Sequence, residues 1–123
     1  MYADDFDGEN DVASLDELIE FLDRKPAFNA NNFTLTFEDD GFPQLNIFLK
    51  DEIAVVYYMD AGENFVSQGK SQEDAVETFY ENKLGGEVKL AKSCVVSRGE
   101  AVEAAKQFFS TRKRPNVLSW DEL

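Results

Sequence analysis

Carboxylates are the chemistry this chain holds in quantity. Asp39-Asp40, Asp51-Glu52 and Asp121-Glu122 are adjacent pairs, and a glycosidase needs two carboxyl groups facing across a cleft. Neighbours on a strand point to opposite faces, and a chain with 25 acids produces such pairs by composition alone. A carboxylate-dependent hydrolase is therefore the weaker alternative. The absence of histidine removes the commonest general base, and most zinc and nucleophile–base arrangements with it. Cys94 is the single thiol; it sits among valines with nothing to activate it and reads as a buried structural residue. Asp5-Phe6-Asp7-Gly8 hints at a calcium loop, but aligning Gly8 with the loop glycine puts Ala3 and Ser14 at two main ligand positions. Gly85-Gly86 lacks the spacing and the lysine of a phosphate loop. Arg112-Lys113-Arg114 suits the negative end of a helix dipole and has no interleaved aromatics. No catalytic residue, metal site or cofactor is expected.

Charge says more. The chain carries 25 acids against 12 bases, a net charge of -13. Residues 1–23 hold nine of those acids and no base, which leaves about -4 on the rest. Such a chain repels nucleic acid and anionic membrane and attracts a basic partner. The plainer reading is an acidic surface that keeps a small protein soluble. At 123 residues, with 43% hydrophobic content and 11 Phe, the expectation is one domain over 1–123 with a packed core. No apolar run approaches the roughly 20 residues of a membrane span. Met1-Tyr2-Ala3-Asp4-Asp5 is acidic where an export signal is basic, so a reducing cytoplasm is the expected compartment.

The element that must organise these residues is Ile53-Ala54-Val55-Val56-Tyr57-Tyr58-Met59. It is short, β-branched and aromatic, and acidic turn residues bracket it; it predicts a strand buried on both faces. Ahead of it, residues 1–13 lack periodicity and predict a loose arm. Ser14 and Glu17 form a capping box, Leu15, Leu18, Ile19 and Leu22 make one apolar face, and Pro26 stops the helix. Phe33, Leu35 and Phe37 alternate with threonines, as do Leu45, Ile47 and Leu49 with polar residues, and Asn64–Ser67 follows the central strand, which allows an antiparallel meander. Residues 68–76 read as a loop, Phe79-Tyr80 as the opening of a strand, and Cys94-Val95-Val96 as the last one. A second capping box, Ser97 to Glu100, starts a helix with Ala101, Val102, Ala105, Phe108 and Phe109 on its apolar face. Leu118 and Trp120 suggest an extended tail laid back on the body. The fold class is α+β: an antiparallel sheet of about five strands with two helices packed on one side.

Several segments together carry a resemblance: Tyr2-Ala3-Asp4-Asp5-Phe6-Asp7-Gly8, RKPAFNANNFTLTFEDDGFPQLNIF at 24–48, IAVVYYMDAGENFVS at 53–67, FYENKLGGEV at 79–88, AAKQFF at 104–109, and the close in Pro115 and Trp120. They resemble immunity protein family one of bacterial polymorphic toxin systems. Residues 68–76 fall outside the resemblance, and this loop could alter which toxin is recognised. The resemblance implies a tight, non-catalytic inhibitor bound one-to-one to a cognate cytosine deaminase toxin domain that acts on double-stranded DNA, with no direct contact to nucleic acid or membrane. Any zinc belongs to the toxin. A general acidic DNA mimic is the competing reading. The binding face is expected at the sheet's turns and adjoining strand ends, where acids and aromatics meet: Asp39, Asp40, Tyr58, Asp60, Glu63, Asn64, Phe65, Tyr80 and Glu81. Trp120 is expected to pack the tail rather than to touch a partner.

Overall fold

A computed structural model describes all residues from Met1 to Leu123. It has two helices and a mostly antiparallel sheet, so the class is α+β as expected. The strands run β1 (Tyr2–Asp5), β2 (Gly8–Asp11), β3 (Ala30–Thr36), β4 (Gln44–Lys50), β5 (Ile53–Asp60), β6 (Glu63–Ser67), β7 (Val76–Tyr80), β8 (Glu87–Ala91), β9 (Val96–Ser97) and β10 (Trp120–Glu122). The helices are α1 (Leu15–Leu22) and α2 (Arg98–Thr111). The expected five strands are thus too few. Eight strands form one sheet, in the order β10-β6-β5-β4-β3-β1-β2 with β9 also on β5, and β7 and β8 form a separate two-stranded sheet.

β5 is the central strand, with Ala54, Val55 and Val56 fully buried. β4 pairs with it from Gln44↔Met59 to Lys50↔Ile53. On its other side β6 covers Tyr57 to Asp60 and β9 covers Ile53 and Ala54. The buried Ser67 fills the gap between them: its hydroxyl accepts the Val56 N–H and donates to the Cys94 carbonyl. A backbone N–H with no ladder partner is thereby satisfied.

The alternation of β3, β4 and β5 gives the sheet two different faces. Leu35, Leu45, Ile47, Ala54, Val56 and Tyr58 point to the helix side and join Leu18, Phe21 and Leu22 of α1 and Ala101, Ala105 and Phe108 of α2 in one core. Val55 and Val66 point the other way and pack under Phe79 with Phe48, Ile53, Tyr57 and Leu90. Cover therefore comes from both sides: helices on one face and the β7–β8 hairpin across half of the other.

Five local expectations change. Residues 2–11 are a hairpin rather than a loose arm; β1 extends the sheet by pairing with β3. Its anchor is the fully buried Asn31, which accepts the Phe6 N–H and donates to Asp5 and to the Arg24 carbonyl. α1 buries Leu18, Phe21 and Leu22, while Leu15 and Ile19 stay exposed, and it ends at Leu22 before any basic residue. Ser14 caps the Glu17 N–H, but the Glu17 carboxylate reaches Ala13 rather than Ser14. Phe79-Tyr80 closes β7 instead of opening a strand, and Cys94 ends a 3-10 turn rather than starting a strand. By contrast, α2 has both bonds of its capping box, and the tail is held as strand β10 against β6.

Candidate interaction surface

The nine residues expected to bind a partner lie in three places. Asp39 and Asp40 sit in the β3–β4 connection, and Asp60, Glu63 and Asn64 in and beside the β5–β6 turn. The ladder Thr36↔Gln44↔Met59 puts these two turns at one end of the sheet. Both are locally braced: Asp40 accepts the Phe42 N–H and Asp60 accepts the Ala61 N–H. Tyr80 and Glu81 lie away from this end, at the tip of the β7–β8 hairpin. That tip is tied to the β1–β2 turn by Lys83 and Asp7 at 2.6 Å.

Tyr58 and Phe65 belong to the helix side. Tyr58 is only 6% exposed and rings of Phe65, Phe108 and Trp120 surround it. Burial first, and then the Asp60 carboxylate, push its phenol above the ordinary tyrosine range. Phe65 is half-buried, with the Arg114 guanidinium 4.2 Å over its ring. Arg112 stacks likewise on Phe37. The basic run after α2 thus engages aromatic faces and does not sit in the last helical turn. Trp120 donates its indole N–H to the Pro115 carbonyl, which fixes the tail.

The open half of the opposite face holds one expected residue, Asp39, among several that sequence reasoning does not place at a binding face. Tyr2, Asp4, Glu9, Thr34, Thr36, Glu38 and Asp39 line a shallow depression of about 410 Å³. Seven ion pairs occur in the structure, and Asp4, Glu9, Glu38 and Asp39 are in none of them. Hydrogen bonding to Asp39 and its charge raise the Tyr2 phenol above its usual range. The sheet face beside it is polar as well: the Asn46 amide donates to Asn32 and Thr34 across the strands. The detectable signal is the alternation in Tyr2-Ala3-Asp4-Asp5, where Ala3 and Asp5 turn inward and Tyr2 and Asp4 outward.

The other carboxylate pairs have structural work. Asp51, at φ 54°, accepts from Asn29, while Glu52 pairs with Lys25 and its carbonyl takes the Arg98 N–H. Asp121 and Glu122 are successive residues of an edge strand and point to opposite faces. What the open face offers chemically is therefore an array of unpaired anions on a rigid support, suited to a cationic surface.

Two comparisons bear on the family of the chain rather than on any one face. Residues 7–122 match the family described as Immunity protein Imm1. The chain is also 67% identical, over 123 residues and the full length of both, to a double-stranded DNA deaminase immunity protein of Burkholderia cenocepacia (strain H111).

Proposed function

The chain belongs to the Imm1 family of immunity proteins, and on that premise we propose that it binds and neutralises a cognate double-stranded-DNA cytosine deaminase toxin. The observation that carries the reading is the full-length 67% identity to a relative named for that role. The proposed mechanism is occlusion. A deaminase acting on DNA must hold phosphates in a basic groove and admit a base to a pocket. A small acidic body seated over that groove denies both.

The open face supplies the electrostatic half of this mechanism. Asp4, Glu9, Glu38 and Asp39 have no internal cation to quench them, and Asp40, Asp60, Glu63 and Asn64 extend the polar surface along the same end of the sheet. Such an arrangement steers encounter and sets orientation more than it sets affinity. Tyr58 supports this end from the core, Phe65 borders it, and Tyr80 with Glu81 stands at the hairpin tip. The inhibitor is non-catalytic and acts one-to-one, and a stable interface buries about 1,600 Å² or more in total.

The test is to mix purified chain with the cognate deaminase domain near physiological salt and follow deamination of duplex DNA. Stoichiometric loss of activity is expected. Full activity under a saturating excess refutes the proposal. Binding to unrelated basic proteins that disappears with moderate salt points instead to a general acidic mimic, because screened surface charge fades over a Debye length of about 8 Å.

A further inference from the structure

Charge brings partners together but does not hold them; stable interfaces rest on a few apolar anchors. One large apolar side chain stands almost wholly outside the fold. Leu84, at the tip of the β7–β8 hairpin, is 95% exposed. Its position is nevertheless fixed. The Asn82 side chain accepts the N–H groups of both Leu84 and Gly86, and the Glu81 N–H bonds the Gly86 carbonyl at 2.9 Å.

Behind this tip stands an aromatic pair. Phe28 and Tyr80 stack with centroids 4.5 Å apart and planes 21° apart. Gly85 lies so close that a Cβ there would come within 3.4 Å of the Phe28 ring. Phe28 is itself half-exposed, at 49%. Its backbone takes φ 59°, and Asn29 follows at φ 52°. Left-handed backbone is unfavourable for a bulky residue, and such strain persists where the surroundings over-determine it. The strain holds a large ring at the surface, beside an exposed leucine on a braced turn. Glu81 and Glu87 flank the knob; both are exposed and unpaired.

We infer that this tip is the anchor of the inhibitory complex: Leu84, backed by the Phe28–Tyr80 stack, seats in the base-receiving pocket of the deaminase. The inference rests on the proposed function and deepens it. The complementarity is chemical. A pocket that takes a flipped base has apolar or aromatic walls, and cations that grip the flanking phosphates surround it. An apolar knob with carboxylates beside it matches both features, Glu81 and Glu87 meeting the cations that otherwise hold phosphate. Lys83 stays bonded to Asp7 and fixes the knob to the β1–β2 turn, next to the acids of the open face.

Two variants of the complete chain test this against the cognate deaminase, with Kd and inhibition of duplex deamination as readouts. Leu84→Asp changes a side chain that the fold does not use. Phe28→Gly removes the ring and puts at a left-handed position the residue that adopts it freely. Each is expected to weaken binding about 30-fold or more, the scale of an interface hot spot, while the Leu84→Asp thermal midpoint stays at the wild-type value. Leu84→Asp binding within twofold of a wild-type chain that does inhibit overturns the anchor and leaves the proposed function standing. A wild-type chain that leaves deamination untouched overturns both.

Discussion

Replacing Asn31 with alanine measures how firmly the N-terminal hairpin belongs to the fold. The Asn31 carbonyl oxygen accepts the Phe6 N–H at 3.0 Å and the Asn32 N–H at 2.9 Å. Its amide donates to the Asp5 carboxylate at 3.1 Å and to the Arg24 carbonyl at 2.9 Å. Truncation removes all four bonds and leaves groups without partners where water barely reaches, since Asp5 is 8% exposed. A buried group left unsatisfied costs about 1–3 kcal/mol, so the expected total is about 3–5 kcal/mol. For a chain of this size that lowers Tm by about 10–20 °C. Calorimetry or urea unfolding gives the number, and hydrogen exchange at Phe6 and Ala3 should accelerate first. Asn31→Asp is the companion variant. It keeps the acceptor but places a second carboxylate where the amide met Asp5. Two such groups raise each other's pKa, so the folded state binds a proton more readily than the unfolded one. The penalty is therefore largest at neutral pH and narrows as pH falls into the carboxylate range. If Asn31→Ala costs less than about 1 kcal/mol, the network adds nothing net and the hairpin is held by the β1–β3 ladder and the burial of Ala3 and Val12.

Two further outcomes follow from the packing. Gly69→Ala would place a methyl 2.1 Å from the Val95 carbonyl oxygen and 2.9 Å from that of Ser93. Backbone must move to admit it, so a loss of about 2–3 kcal/mol or failure to fold is expected, read by urea unfolding. Burial raises the phenols of Tyr57 and Tyr58. Their contribution to stability is fully present below the ordinary tyrosine range and is lost as pH rises through the raised values. Phenolate absorbance should lag that of free tyrosine, and Tyr57→Phe should flatten the alkaline loss.

Elements with strong local periodicity are legible in the amino-acid order alone. The central strand, both helix starts and the β3–β6 meander follow from apolar spacing and capping residues. The misses have physical causes too. The β1–β2 hairpin is acidic, and its inward residues are Ala3 and Asp5; its stability comes from Asn31, 26 positions away from Asp5, which no local pattern reveals. β8 escapes a periodicity reading because Val88 and Leu90 are its only inward apolar residues. Leu15 and Ile19 have helical spacing but stay largely exposed, while Leu18, Phe21 and Leu22 reach the core. Among the expected site residues, sequence places acids in turns, but it does not tell which turns share an end of the sheet. Nor does it tell that Tyr58 faces the core.

The boundary of the open face is written along single strands. On β4 the residues turned away from the helices run Gln44, Asn46, Phe48, changing from polar to apolar partway. On β3 the same face presents Asn32, Thr34 and Thr36. The β7–β8 hairpin covers the sheet where Phe48, Val55 and Tyr57 need it and stops where asparagine and threonine begin. β-Branched and amide side chains can face water without loss of strand character, so the sheet remains stable although half of one face is bare. Helix-side packing carries the fold, which leaves Asp4, Glu9, Glu38 and Asp39 free of internal cations. On the proposed reading, a cationic partner would supply at this face what no intramolecular contact does, and the hairpin that bounds it would present Leu84 to the same partner.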